Sequence, residues 1–449
     1  MKHVITSLLL LLFSPLMKGQ EAAPQAFSLQ QAIDYAVKNG YSVKNAATDI
    51  EIANKKVKET RAIGIPQLTA DAGFNNFLNI PISVVDASAF NPLAPPGALV
   101  RIPFGVKHNM NYGYTASWLA FNGEYLVGLQ AAKTYLEISK KTLRKSEIDT
   151  KESVSKAYYT VLILEENKKI LKENISNLEQ SIAQTAAFNK EGFIEELDVD
   201  RLNLLMSNLK NTLATLEQQK VLAENLLKFQ MGFDVNATIT LSEELNNVVN
   251  IASSGIDTEP KFDVKNSIDY ALLETSYRVS LLNTKRLKAN YLPTLSTFYS
   301  WKENRLGNEF ENLSDPTFRV TGGTIVGLNL SVPIFQGFGQ SARVSQAKLE
   351  TKKIEVQQMQ QQQGYALQSS QSLTEFTTAL DTYKSNKEAV ELAEKIKSRT
   401  TIKYNEGVGS SVEVLQAQSE LLSAQSNYIN SIFQLLNARV TLDKNLNKF

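Results

Sequence analysis

The sequence predicts an α+β chain written as two repeats, each combining β-strands with a pair of very long antiparallel helices. Three observations predict it: where the prolines fall, two opposed apolar periodicities, and a self-similarity between the two halves. None of the twelve prolines lies between residues 104 and 259, and none follows Pro333. The Pro-free blocks are rich in Lys, Glu, Gln, Leu, Ala and Asn, a composition that favours uninterrupted helix.

The chain opens on an expected leader. Lys2 and His3 precede the apolar run Leu8 to Phe13, and small Gly19 stands before Gln20, which predicts a signal peptide over residues 1–19. That run is far below the ~20 residues that span a bilayer, and no long apolar run follows. The mature chain is therefore expected to leave the cytoplasm without helical membrane anchors.

The proline-bearing regions alternate with period two. Met110, Tyr112, Tyr114, Ala116, Trp118 and Ala120 alternate with Asn109, Asn111, Gly113, Thr115, Ser117 and Leu119. Leu68, Ala70, Ala72 and Phe74 do the same, as do Val326, Leu328, Leu330, Val332 and Ile334; Leu295, Tyr299 and Trp301 give a weaker fourth case. These patterns predict strands over about 66–80, 106–122, 293–303 and 318–335, each with one apolar and one polar or small face. Such a face meets a second sheet in a soluble sandwich, or lipid in a membrane barrel with aromatics at its interfaces. Four strands are too few to close a barrel, so their edges call for other copies of the chain. Residues 81–105, rich in Pro and small residues, read as a long loop.

Between the strands lie the helices, over about 124–189 and 198–231, then about 338–405 and 411–447. At 1.5 Å of rise per residue the longer member of each pair measures ~100 Å, a length that suits a coiled coil and not a compact domain. Leu202, Leu205, Leu209, Leu213 and Leu216 form one 3-4 seam. Val414, Ala417, Leu421, Ala424, Tyr428, Leu435, Ala438 and Leu442 form another, with Ser431 its one polar lapse. The Gln-rich run 357–363 reads as a solvated helix face.

The halves repeat one another. Residues 39–68 align with 266–295 without a gap at an offset of 227. Phe121-Asn122-Gly123 falls on Phe335-Gln336-Gly337, and Gly192 falls on Gly407. The first repeat spans 20–231 and the second 264–449, with 232–263 as the inter-repeat linker or equatorial region. The repeat also decides a tempting motif. Gly337-Phe338-Gly339-Gln340-Ser341-Ala342 has dinucleotide-loop spacing, but the equivalent joint at Asn122 and Gly123 lacks the later small positions. Gly337 and Gly339 are expected instead to let the backbone pivot where strand becomes helix.

The chemistry inventory is poor. There is no Cys, so thiolate metal sites, a cysteine nucleophile and a lipidated N-terminal cysteine are excluded, and only His3 and His108 occur. No Gly-Lys dipeptide exists, hence no Walker loop. Removing Lys2 and Lys18 with the leader takes the formal charge from +1 to −1, and no basic stripe invites nucleic acid. Neither an enzyme nor a cofactor or metal site is expected.

With "SLQQAIDYAVKNG" (28–40), "YLPTLS" (291–296), "LSVPIFQGFGQSARVSQAK" (330–348), "AYY" (157–159) and "KYNEGVGSSVEVLQAQSELLSAQ" (403–425), the mature chain resembles the TolC family of outer membrane efflux proteins. The resemblance implies an α+β membrane protein: four transmembrane strands per chain, a twelve-stranded barrel in the homotrimer, and a periplasmic tunnel of long helices. It implies a passive duct in the outer membrane, driven by an inner-membrane transporter through a periplasmic adaptor. Tyr112, Tyr114, Trp118, Tyr299 and Trp301 are then expected on the lipid face. Gly192-Phe193-Ile194 and Gly407-Val408-Gly409 match the family's adaptor-docking helix tips. Glu388, Glu391 and Glu394 approach the second tip, where relatives carry acidic rings, yet no motif selects one of them, and on a helix such acids are more often solvated partners, here of Lys384, Lys387, Lys395 and Lys397. Two other functions stay open: the exit pore of a type I protein secretion system, and a periplasmic structural coiled coil.

Overall fold

The computed structural model describes residues 25–254 and 263–449, so the expected leader lies outside the described residues. In chain order the elements are β1 (Gln25–Phe27), α1 (Leu29–Asn39), α2 (Tyr41–Ala62), β2 (Gln67–Asn76), β3 (Ile82–Asp86), β4 (Leu99–Pro103), β5 (His108–Phe121), α3 (Gly123–Lys190) and α4 (Glu196–Met231). There follow β6 (Ile239–Leu241), α5 (Leu245–Ser253), α6 (Ile268–Ala289), β7 (Thr294–Gly307), β8 (Arg319–Ser331), α7 (Gly339–Asn405) and α8 (Ser411–Asn445). The 22-residue helices α2 and α6 stand at the repeat offset of 227, and so do the first residues of β2 and β7. No described helix is long and apolar enough to cross a membrane.

One unit comprises residues 49–140 and 272–359. It holds a four-stranded antiparallel sheet in the order β2-β5-β7-β8. The register puts Ala70 beside Tyr114 and Tyr114 beside Trp301, so the apolar sets of three strands share one face. Leu68, Val326, Leu328 and Leu330 on that face are between 62% and 76% exposed in the isolated chain. The opposite face carries Asn111, Thr115, Ser117, Ser300 and Asn329. Helix α6 is tied to α3 by ion pairs of Arg278 with Glu137 and of Arg286 with Glu124. Ser280 and Thr351 share a 2.7 Å hydrogen bond between α6 and α7.

Three strand ends and one loop differ from the sequence expectation. β7 runs on through Lys302 to Gly307, because its backbone keeps pairing with β5 after the apolar alternation has ended. β8 stops at Ser331, whose partner Thr294 begins β7; Val332 and Ile334 lie beyond it with Pro333, which has no N–H to give a ladder. β2 ends at Asn76, where its partner β5 begins at His108. The presumed loop 81–105 contains a second hairpin, β3 paired antiparallel with β4.

The other unit comprises residues 25–48, 141–254, 263–271 and 360–449. α1 begins with a reciprocal capping box: the Gln31 N–H donates to Ser28 Oγ at 3.2 Å and the Ser28 N–H to Gln31 Oε1 at 3.0 Å. β1 pairs in parallel with β6, and Tyr158 of α3 donates its hydroxyl to the Phe27 carbonyl at 3.0 Å. Tyr158, Leu227, Met231, Ile432, Leu435 and Leu436 are fully buried around this point. Residues 232–254, between the two repeats, supply β6 and α5 to this core. Of the α4 seam, Leu202, Leu209 and Leu216 are buried, with Leu205 and Leu213 packed against them. Ser431 is buried in the α8 seam and donates to the Tyr428 carbonyl at 2.7 Å, which is how a hydroxyl is tolerated there. Lys444 lies between Asp149 and Glu152 at 2.7 and 2.6 Å. Burial works to raise the Glu152 carboxyl, but Lys156 and Lys444 outweigh it and hold the group below its ordinary value.

Candidate functional site: helix tips, joints and the aromatic face

Each long helical hairpin turns through five residues, 191–195 between α3 and α4 and 406–410 between α7 and α8. The turns are built alike. Gly192 and Gly407 have φ of +81° and +78°, the left-handed region that favours glycine. The next residue's N–H reaches back into the helix: Phe193 donates to the Phe188 carbonyl and Val408 to that of Lys403, both at 3.0 Å. These bonds are those of a Schellman cap, which satisfies carbonyls that the helix end leaves open. Asn189 then donates to the Ile194 carbonyl at 2.8 Å, and Ser410 caps α8 by accepting from the Glu413 N–H at 3.2 Å.

This geometry lifts one apolar side chain clear of each turn. Phe193 is 79% exposed and Val408 76%, at equivalent positions of the repeat. Ile194 is half-buried. Leu197 and Val412, also equivalent, are exposed one helical turn further on. The repeat superposes Leu197 on Val412, a pair outside the expected tip residues. Gly409 differs from Gly407 in kind. A Cβ on Gly409 would stand 3.1 Å from the Tyr404 nitrogen and 3.3 Å from a Lys403 backbone carbon, so close approach and not φ explains it. Glu388, Glu391 and Glu394 are exposed, as a solvated face requires, though no ion pair joins them to the nearby lysines among the described residues.

The strand-to-helix joints also divide by cause. Asn122 caps α3, accepting from the Tyr125 N–H at 2.7 Å, and donates to Thr294 Oγ1 of β7 at 2.9 Å. Gly123 is needed for space: a Cβ there would lie 2.7 Å from Leu292 and 3.1 Å from the Ala289 carbonyl oxygen. Gly337 has φ of +56° and Phe338 of +63°, so the pivot is Gly337-Phe338. Gly339 does not pivot; it is the first residue of α7, with ordinary φ and open space where a Cβ would be. Gly339→Ala should therefore be neutral or stabilising, and Gly123→Ala should cost about 1–3 kcal/mol through overpacking, read from thermal unfolding.

On the sheet, Tyr112, Tyr114, Tyr299 and Trp301 form one aromatic patch. Tyr114 stacks on Trp301 at 5.4 Å and on Tyr299 at 6.1 Å, and Tyr112 meets Trp301 edge-on at 6.1 Å. Trp118 stands apart toward the joint and donates its indole N–H to the Gly64 carbonyl at 3.0 Å. His108, at the start of β5, stacks on Phe74 at 5.9 Å. Among the described residues no group of acids and histidines is placed to hold a metal ion.

The family model "Outer membrane efflux protein" matches residues 32–232 and 280–448 of this chain. No curated protein matches the sequence. Among solved structures, CusC, described in terms of folding and transmembrane channel formation, is 15% identical with a TM-score of 0.73, over 93% of this chain and 91% of its own. The Campylobacter jejuni CmeC outer membrane channel is 15% identical with a TM-score of 0.72, over 93% and 85%. The open-state Neisseria gonorrhoeae MtrE outer membrane channel is 16% identical with a TM-score of 0.69, over 93% and 88%. The α+β fold expected from the sequence is the fold of these channels.

Proposed function

The chain belongs to the outer membrane efflux protein family, whose members are exit ducts across the outer membrane, and on that premise we propose that three copies close one barrel and one helical tunnel. The duct is passive. An inner-membrane transporter supplies the energy, and a periplasmic adaptor grips the tips at Gly192-Phe193-Ile194 and Gly407-Val408-Gly409. The N-terminal leader exports the chain, and with no cysteine in the sequence the anchor is protein alone.

The observation that carries this reading is the open sheet. β2 and β8 each pair on one side only among the described residues, leaving their outer edges open, and the face between them exposes Leu68, Val326, Leu328 and Leu330. Exposed edges and a broad apolar face are both unstable in water, and closure with other copies in lipid removes both. Small toxic compounds are the proposed cargo.

The test is assembly together with export. The native protein should extract from the outer membrane as a crosslinkable or SDS-resistant trimer, and its deletion should sensitise cells to such compounds until the gene is restored. A monodisperse soluble monomer would end the barrel reading.

A further inference from the structure

Beyond the aromatic patch, on the same face of the sheet, stands a charge cluster that passage through a duct does not explain. Arg305 of β7 lies directly opposite Arg319 of β8 in the strand register. Like charges directly opposite on antiparallel strands repel. One carboxylate serves both: Glu303 pairs with Arg305 Nε at 3.2 Å and with Arg319 Nη2 at 2.7 Å, and its side chain is 3% exposed. The Tyr112 hydroxyl donates to the same carboxylate. Arg305 is fixed further by donating to the Leu313 carbonyl at 3.0 Å, with its guanidinium 5.9 Å from the Tyr112 ring centre.

The cluster therefore holds two oriented guanidiniums against one buried acid, while the Arg319 side chain stays 47% exposed. The acids of the adjoining loop do not make up the difference. Glu309, Glu311 and Asp315 form no ion pair with either arginine among the described residues, and Asp315 accepts from the N–H and hydroxyl of Thr317. One positive charge is left over, held in place and facing outward.

Its position names the occupant. Glu303 and Arg305 continue the every-second-residue series of Tyr299 and Trp301, at the β7–β8 hairpin end and not the end that leads into α7. On the barrel reading, on which this step rests, that face meets lipid, with Tyr114 and Trp301 near mid-strand. Arg305, further along β7, stands roughly 13 Å of strand from Trp301, at the edge of an apolar band about 25 Å tall and so among outer-leaflet headgroups. We infer that Arg305 and Arg319 form a site for a phosphate of an anionic outer-leaflet glycolipid. The planar fork of guanidinium matches phosphate oxygens in pairs, which an ammonium does not.

The test uses purified trimer in phosphatidylcholine nanodiscs carrying either diphosphorylated lipid A or the same glycolipid after dephosphorylation. Bound glycolipid is counted by native mass spectrometry. The wild-type trimer should bind the phosphorylated form about tenfold more tightly, Arg319→Gln should lose that preference, and Arg319→Lys should restore only part of it. Arg319 is exposed enough for both variants to fold. Equal binding of the two glycolipids, or an unchanged preference in Arg319→Gln, overturns the site; so does displacement by millimolar inorganic phosphate, which would mark a site for the free ion. Failure of the wild type to yield membrane-extracted trimers would instead sink the barrel reading, and this inference with it.

Discussion

Gly407→Val is expected to give trimers of normal abundance in the outer membrane that no longer export. The position has open space around it, so no clash follows, but its φ of +78° is one that a β-branched residue adopts only under strain. The cost is about 1–2 kcal/mol for an ordinary residue and more for valine, concentrated on a five-residue turn. That turn sets where Val408 stands, through its N–H bond to the Lys403 carbonyl, and Val408 is 76% exposed. Residues 339–405 of unbroken helix separate the turn from β8, so strand pairing has no reason to change. Gly409→Val should reach the same end by crowding, since its Cβ would press on the backbone at Tyr404 and Lys403. Susceptibility of a complemented deletion strain reads export, and photo-crosslinking from position 408 reads adaptor contact. Full export by both variants would move docking away from the tips.

What could be read from the sequence depended on whether the signal was periodic. The strands announce themselves where every second residue is apolar, and the end of β7 beyond residue 303 does not, because Arg305 shares Glu303 with Arg319 instead of following the pattern. The β3–β4 hairpin sits among prolines and small residues whose loop composition outweighed short alternations such as Ile82-Ser83-Val84. At the tips, Gly192 and Gly407 stood out because only glycine enters αL cheaply, and the repeat pointed to both. Close approach leaves no such trace. Gly123 and Gly409 are fixed by neighbours distant in sequence or by backbone crowding, while Gly339, conspicuous in its motif, has neither constraint. The bond from Asn122 to Thr294 of β7 left no trace in the sequence for the same reason: the two lie 172 residues apart.

The second large effect is expected on the sheet. Tyr114→Lys should abolish trimer assembly or lower its stability by roughly 2–4 kcal/mol, the cost of a cation near the middle of the lipid face. Tyr114 is 40% exposed in the isolated chain and its ring stacks on Trp301 and Tyr299, so the change also removes an aromatic contact worth ~1 kcal/mol. Trp118→Lys should cost less on charge, because its indole bonds the Gly64 carbonyl toward the helix joint, which the proposed barrel places at its interfacial end, where a cation costs ~0–1 kcal/mol. Ser117 points to the other face, paired in register with Gln67 and Phe298. Ser117→Lys should therefore assemble normally and alter single-channel conductance and ion selectivity, since a lumen-facing ammonium stays in water. Thr115→Lys tests the same face less cleanly, because it also breaks the 3.1 Å hydrogen bond to Ser300. Heat-modifiability on gels and planar-bilayer recordings separate the two classes. Tolerance at Tyr114 with collapse at Ser117 would mean that the aromatic face lines the duct and the polar face meets the lipid.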